Sequence, residues 1–177
     1  HISLQSGNET ILKSMRRKYN LNQYVETIKL IRKKIPRSSI TTDVIVGFPG
    51  ENIDTFQDTY NFCKSIGFAS IHVFPYSKRP GTSSFYFKNN LNPKLKSEFV
   101  KSLITLSKQL ELEQIGKNIN LPTSVLWERK INIANNLYYT GLSENYLKCL
   151  VATPLEISNT ITHINPKSTL GNYLLAN

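Results

Sequence analysis

The stretch that decides the fold covers residues 39–51, which read Ser-Ile-Thr-Thr-Asp-Val-Ile-Val-Gly-Phe-Pro-Gly-Glu. Its first eight residues are nearly all β-branched, and such a run predicts a strand of a parallel sheet that is covered on both faces. The turn from Gly47 to Gly50 ends the strand, and Asn52 can cap a helix that runs to about Ser65. The stretch therefore predicts a strand–turn–helix unit of an α/β fold.

On its N-terminal side the sequence predicts one strand and two helices, over residues 1–5, 9–18 and 22–34. Gly7 ends the strand, and Asn8 can cap the first helix. The chain opens inside this strand and without Met, which predicts that the true N-terminus lies upstream or has been lost. Without upstream sequence, residues 1–5 are expected to form an exposed edge, which promotes self-association and lowers stability.

On its C-terminal side the sequence predicts a third strand over residues 69–75 and a long helix from Asn92-Pro93 to about Ile115. Strands that alternate with helices indicate a parallel sheet with right-handed crossovers. Three strands are too few for a closed barrel, so either upstream sequence completes the sheet or residues 1–116 are an incomplete α/β fold.

Helical periodicity stops after Gly116, and five short β-type runs follow. Their close spacing, with turn residues between them, predicts a small all-β unit, most simply a barrel. We therefore expect two domains, over residues 1–116 and 117–177. The predicted strands are residues 123–127, 137–140, 146–151, 160–164 and 172–175.

The chain is strongly basic, with 22 Lys and Arg against 12 Asp and Glu and a net charge of +10. Most of the excess lies in residues 1–116. Such a balance favours a polyanionic partner, although surface charge that only maintains solubility is an equal alternative. No segment approaches the roughly 20 apolar residues of a membrane helix, and no signal peptide is visible. A cytoplasmic protein without a membrane partner is expected.

The two cysteines, Cys63 and Cys149, have no ligand spacing and are expected to be free thiols. The three histidines, His1, His72 and His163, are scattered along the sequence and predict no ligand cluster. No metal site is therefore predicted.

Four local sequences, in this order and spacing, resemble the radical S-adenosylmethionine (SAM) methylthiotransferases. The resemblance implies strands four to six of a radical SAM (β/α) half-barrel, followed by an OB-like TRAM domain that binds RNA. The last motif is similar to that of the branch that modifies threonylcarbamoyladenosine in tRNA. The motifs are Gln5-Ser6-Gly7, Thr41 to Glu51, Phe74 to Thr82 and Gly141 to Tyr146.

The family implies SAM and [4Fe-4S] clusters as cofactors, but the cysteines that hold both clusters have no counterpart in this sequence. Because such clusters need thiolate ligands, this chain alone is expected not to cleave SAM. No catalytic residue is predicted within it. The function left to this chain would be to bind the cofactor and the RNA.

Eight residues are candidates for cofactor binding. Gln5 and Ser6 lie at a predicted C-terminal strand end, where α/β folds bind ligands, although a capped turn is an alternative. Asp43 is expected to face the barrel mouth or to pair with Lys or Arg, because a buried carboxylate is costly. The resemblance also implies that residues 45–48 make apolar contacts to the adenine. It implies polar contacts to the cofactor from Tyr76 and Ser77, which follow the third strand. The full set is Gln5, Ser6, Asp43, Ile45, Gly47, Phe48, Tyr76 and Ser77.

Eight further residues are candidates for contacts to tRNA, because they combine positive charge, amides and aromatic rings. A basic helix end and a solvated loop are the alternatives for the residues of the first domain, and burial in the barrel core is the alternative for several of those in the second. No DNA partner is expected. The set is Arg16, Arg17, Lys18, Lys78, Arg79, Asn145, Tyr146 and Lys148.

Three functional hypotheses follow from these features. The first is part of an enzyme that adds a methylthio group to an adenosine beside the tRNA anticodon. The second is a non-catalytic RNA-binding remnant of a split or decayed gene. The third is a basic ribosomal-type or DNA-binding protein without a cofactor.

Overall fold

The computed structural model describes residues 1–88 and 91–176. The chain divides into two compact units, His1–Leu110 and Glu111–Asn177. The domain boundaries proposed from the sequence and the family assignment of each domain stay predictions. Within the described residues, no helix combines the length and apolarity that crossing a membrane requires.

The first unit alternates helices with two parallel strands, and its last helix continues past Leu110. Between β2 and α4 lies a short 3-10 helix, Ser83–Tyr86, that the sequence did not predict. The regular elements are α1 (Glu9–Ser14), α2 (Leu21–Lys34), β1 (Thr41–Val46), α3 (Ile53–Ile66), β2 (Ser70–Pro75) and α4 (Pro93–Gly116).

The helix ends follow local capping signals. The side chains of Asn8 and Asn52 accept hydrogen bonds from backbone N–H groups at the starts of α1 and α3. Gly67 ends α3 in the left-handed conformation. The predicted helix over residues 9–18 is too long, because α1 ends at Ser14.

Strands β1 and β2 pair in parallel from Thr41 opposite Ser70 to Val46 opposite Pro75. The two predicted strands are confirmed within two residues at each end. Only one face of β1 is fully buried, while Asp43 and Ile45 on the other face are half-buried. The prediction that both faces are covered is therefore wrong for β1.

Residues 1–5 run beside β1 but do not form the predicted strand. They make one isolated parallel bridge, between Gln5 and Val44. The ladder is interrupted because the Leu4 N–H donates to the side-chain oxygen of Thr42 at 2.9 Å. Gln5 then adopts a left-handed φ of 68°. The predicted strand edge is thus absent from this segment, and self-association stays a prediction.

The core of the first unit lies between the β1–β2 pair and the helices. The Phe56 and Phe99 rings stack at 3.9 Å, and the Tyr24 hydroxyl donates to the Ile2 carbonyl at 2.7 Å. This hydrogen bond anchors the N-terminal segment to α2. The buried apolar cluster also includes Leu4, Ile28, Val44, Val46, Phe68, Ile71, Leu103, Leu106 and Leu110.

The second unit contains a six-stranded sheet in the order β6-β3-β4-β5-β8-β7. The predicted all-β character is confirmed. The ladders among residues 111–176 do not join β6 to β7, so a closed barrel stays a prediction. The strands are β3 (Thr123–Ile133), β4 (Asn136–Ser143), β5 (Lys148–Val151), β6 (Ile161–Ile164), β7 (Ser168–Leu170) and β8 (Tyr173–Ala176).

The β3–β4 hairpin is longer than predicted because a two-residue turn joins its strands. Ala134 and Asn135 both have positive φ, of 48° and 64°, as in the type I′ turns that match the twist of hairpin strands. Trp127 is almost fully buried on β3 and pairs with Gly141 on β4. A side chain at Gly141 would collide with the Leu126 carbonyl and the Trp127 ring, so the close approach requires glycine here.

Candidate functional site

A cavity of about 530 Å³ opens at the C-terminal ends of β1 and β2. Its volume is within the range of small-molecule sites, and strand ends of this kind are where α/β folds bind ligands. The wall consists of Gln5, residues 14–17, Asp43, Ile45, Phe48, residues 74–77, Arg79, residues 82–84 and Phe87.

Six of the eight residues predicted to bind a cofactor line this cavity, namely Gln5, Asp43, Ile45, Phe48, Tyr76 and Ser77. Ser6 and Gly47 do not. Ser6 is fully buried, and its hydroxyl lies 3.2 Å from the hydroxyl of Thr59. Gly47 has a φ of 81°, and a side chain there would collide with Lys96. These two residues shape the backbone behind the cavity, and ligand binding by the other six stays a prediction.

Aromatic rings form one wall of the cavity. The Phe48 ring meets the Tyr76 ring edge-on at 5.2 Å and the Phe87 ring at 6.4 Å. The Tyr76 hydroxyl donates to the Ser84 carbonyl at 3.1 Å, so this hydroxyl holds the loop after β2 in place. With Ile45, the wall is an apolar surface suited to a flat ring system. The sequence did not predict Phe87, which follows the unpredicted 3-10 helix.

Gln5 reaches the cavity from a strained backbone. Its N–H donates to the Asp43 carbonyl at 2.8 Å, and its carbonyl accepts from the Ile45 N–H at 2.9 Å. These two bonds hold the left-handed conformation, which costs a non-glycine residue about 1–2 kcal/mol. Strain of this kind is concentrated at functional sites. The side chain supplies an amide to the cavity wall.

Three arginines, Arg16, Arg17 and Arg79, also line the cavity. The first two belong to a Schellman turn after α1, in which the N–H of Arg17 donates to the carbonyl of Leu12 and that of Arg16 to Lys13. Arg16 occupies the left-handed position, with a φ of 57°. The turn thus brings two cations to the cavity, where they can bind phosphate or carboxylate. The predicted RNA contacts Lys18 and Lys78 are exposed but lie outside the wall.

The Asp43 carboxylate, which also lines the cavity, has partners that the sequence did not predict. Its oxygens lie 3.1 Å from His1 Nε2 and 3.2 Å from His72 Nδ1, and the Ser3 hydroxyl donates to it at 2.9 Å. Asp43 was expected to face the barrel mouth or to pair with Lys or Arg: it faces the cavity, and no Lys or Arg among the described residues pairs with it. The three histidines are scattered along the sequence, but the structure brings His1 and His72 together with Asp43, and the two rings stack at 5.5 Å.

Glu51 closes the turn between β1 and α3. Its carboxylate accepts the Gly47 N–H, and its own N–H donates to the Phe48 carbonyl at 2.9 Å. The second carboxylate oxygen is buried and has no hydrogen-bond partner among the described residues. Burial raises the pKa of Glu51 to about 7, against a smaller lowering by the Gly47 N–H. The turn beside the cavity therefore contains a carboxyl that titrates near neutral pH.

Sequence comparisons identify known proteins that this chain resembles. The radical SAM superfamily matches residues 1–63. Threonylcarbamoyladenosine tRNA methylthiotransferase MtaB of Bacillus subtilis is 40% identical over 84% of this chain and 33% of its own length. The MtaB of Aquifex aeolicus is 40% identical over 83% of this chain and 34% of its own. The tRNA-2-methylthio-N(6)-dimethylallyladenosine synthase of Tropheryma whipplei is 40% identical over 78% and 30%.

The chain belongs to the radical SAM methylthiotransferase family. It spans about a third of the length of the curated relatives that it matches. The resemblance seen in the four sequence motifs is thereby confirmed. The activity, substrate and partners of a whole methylthiotransferase are matters of proposal for this chain.

The described residues do not fit the iron–sulfur clusters that the methylthiotransferase family implies. Such clusters need several thiolates, whereas Cys63 and Cys149 are both buried and belong to different units. Burial raises the pKa of each thiol to about 12, so neither is a thiolate at neutral pH. SAM is a different case, because the cavity offers an apolar wall and polar groups of the kind that a nucleoside needs.

The three predicted RNA-binding residues of the second unit differ in their surroundings. Tyr146 is 80% exposed, as a stacking platform for bases requires. Lys148 is exposed and forms an ion pair with Glu111 at 3.3 Å. The Asn145 amide bonds within the unit, to Ser143 at 2.7 Å and Asn118 at 3.2 Å. Tyr146 therefore has the geometry that best suits base contact.

Proposed function

We propose that this chain provides the SAM-binding cavity and part of the RNA-binding surface of a tRNA methylthiotransferase. The proposed reaction adds a methylthio group to adenosine or threonylcarbamoyladenosine next to the anticodon, in the cytoplasm. One observation carries the proposal: an apolar and aromatic cavity at the ends of β1 and β2 is bordered by three arginines.

Each wall of the cavity has a role in this proposal. Ile45 and Phe48 contact the adenine ring, while the Gln5 amide and the Ser77 hydroxyl bond to polar groups of SAM. When bound, SAM supplies the methyl group and the radical chemistry of the family. Arg16, Arg17 and Arg79 are then left to bind phosphates of the tRNA. No step is assigned to a residue of this chain.

The second unit is proposed to be an OB-like TRAM domain that binds RNA. The support is its all-β sheet and the exposed ring of Tyr146 next to the basic Lys148. OB-type folds bind single-stranded RNA by stacking bases on such rings and by contacting phosphates with cations. The first unit is proposed to contain strands four to six of the half-barrel.

Replacing Ile45 with Asn is expected to weaken binding of the SAM adenosine moiety at least about tenfold, because an apolar contact to the adenine is lost. The measurement is ligand-observed saturation-transfer NMR with SAM. Ile53→Asn is the matched control, since Ile53 is 61% exposed on α3 and does not line the cavity. Equal affinity of both variants would contradict the cavity assignment.

Replacing Arg16 with Gly is expected to weaken tRNA binding about tenfold and to lower its salt dependence, because one phosphate contact is lost. The same change relieves the left-handed strain, so the variant should melt at the same or a higher temperature. Filter binding across a salt series measures the first effect, and thermal melting measures the second.

Lys29→Ala is the charge-matched control for this experiment, because Lys29 lies on α2 outside the cavity and pairs with Glu26. If Lys29→Ala weakens tRNA binding as much as Arg16→Gly, the arginines are not a specific tRNA site. Salt-dependent tRNA binding without any SAM binding would instead favour the non-catalytic RNA-binding hypothesis. No binding of either would leave a basic protein of another class.

A further inference from the structure

Three polar side chains converge beside the cavity, from three segments of the first unit that are distant in sequence. They are His1, Asp43 and His72, and one ligand atom of each lies within 4.8 Å of those of the other two. Imidazole nitrogens and a carboxylate oxygen are the donors that zinc and related transition-metal ions prefer. We propose that these residues form a binding site for one divalent zinc-class ion.

The distances suit a shared ion. Ligands at the usual 2.0–2.2 Å from a tetrahedral zinc lie roughly 3.3 Å apart. His1 Nε2 lies 3.1 Å from one Asp43 oxygen and His72 Nδ1 lies 3.2 Å from the other. Small rotations of the three side chains are therefore enough to place an ion between them. Three protein ligands leave a fourth position for solvent or another ligand.

The backbone holds the three ligands in place without an ion. Asp43 and His72 are direct partners in the β1–β2 register. The segment that carries His1 is tied to β1 by the Ile2 N–H bond to the Thr41 carbonyl, at 2.9 Å. A site that is already formed loses little conformational entropy when its ligand binds.

The surrounding hydroxyls orient the ligands as the outer shell of a metal site does. The second ring nitrogen of His1, Nδ1, lies 2.9 Å from the Thr41 hydroxyl, which directs Nε2 towards Asp43. The Ser3 hydroxyl donates to an Asp43 oxygen at 2.9 Å. Partners of this kind fix ring orientation and raise metal affinity. The His1 and His72 side chains are 42% and 54% exposed, so an ion can enter from solvent.

The site is independent of the proposed methylthiotransferase function. Asp43 is the one member that also lines the cavity, so a bound ion would lie at the cavity wall. The alternative is a closed hydrogen-bonded triad in which the Asp43 carboxylate accepts from both rings. A titration with the metal alone separates these two states without SAM or tRNA.

The test is calorimetric titration of the whole chain with Zn²⁺, together with the visible absorption of bound Co²⁺. We expect one ion per chain. Asp43→Asn and His72→Ala should each weaken binding more than about 100-fold, since even outer-shell losses cost 10- to 100-fold. Thr41→Val, which removes the outer partner of His1, should weaken it about tenfold.

His163→Ala is the matched control, because this exposed histidine lies on β6 in the second unit, and it should leave the affinity unchanged. Zn²⁺ should raise the melting temperature of the wild type and of this control but not of His72→Ala. His72 is exposed, so its replacement is expected to fold. Binding that survives Asp43→Asn with unchanged affinity, or the absence of saturable binding, would overturn the proposal.

Discussion

Replacing Trp127 with Ala is expected to lower the free energy of unfolding of the second unit by about 3–5 kcal/mol. Trp127 is 1% exposed and is the largest side chain in a core formed with Ile115, Val125, Tyr139, Leu147, Cys149 and Leu174. The truncation opens a cavity and removes the indole N–H bond to the Thr162 hydroxyl, 2.8 Å long. The whole free energy of unfolding of a small domain is only about 5–15 kcal/mol.

The measurement is urea denaturation followed through the amide resonances of β3 and β4. Trp127→Phe should cost less than the alanine variant, because it keeps a ring in the core and loses mainly the N–H donor. Leu126→Ala is the neighbouring control, since Leu126 is 45% exposed, and it should cost about 1 kcal/mol or less. If Trp127→Ala lowers the free energy of unfolding no more than Leu126→Ala does, Trp127 is not packed in the core of this sheet.

The helices of the first unit were predictable because their signals are local. Asn8, Asn52 and Gly67 act on backbone groups within a few residues of themselves, so sequence alone identifies them. The end of α1 was not predictable in this way. Basic residues suit a helix C-terminus, but nothing in the sequence shows that Arg16 adopts a left-handed conformation rather than continuing the helix.

Strand pairing was harder to predict because it depends on contacts between distant segments. The Thr42 hydroxyl takes the N–H of Leu4 that a ladder would use, so residues 1–5 lose their strand through a side chain about 40 positions away. In the second unit, β5 pairs with β8 in parallel, although sequential short strands suggest antiparallel neighbours. Neither arrangement leaves a local pattern.

The candidate site contains one arrangement that the sequence predicts and one that it does not. Gln5, Ile45 and Tyr76 meet at one cavity because the C-terminal ends of parallel strands share an edge, which the motif order implies. The contact of Asp43 with His1 and His72 depends on the register of the ladder. A usable signal was present, since each lies on a predicted parallel strand, but which residues are opposite one another requires the structure.

Glu51 is expected to make the free energy of unfolding depend strongly on pH, which is the second large effect. An unfolded Glu has a pKa near 4.5, while burial raises the pKa of Glu51 in the folded protein to about 7. The folded state thus binds this proton more tightly, so the contribution to stability is complete below pH 4.5 and is lost as the pH rises to about 7. Between these two pH values, the free energy of unfolding is expected to fall by about 3 kcal/mol.

Glu51→Gln should abolish this pH dependence, because the amide does not ionise while its carbonyl can still accept the Gly47 N–H. At pH 8 the variant is expected to be more stable than the wild type by about 1–3 kcal/mol, and at pH 4 the difference should disappear. The measurement is urea denaturation from pH 4 to 8 by circular dichroism at 222 nm, which reports the helices. Glu98→Gln, at an exposed position on α4, should follow the wild type. If the stability of Glu51→Gln also follows that of the wild type at every pH, folding does not raise the pKa of Glu51, and the prediction is refuted.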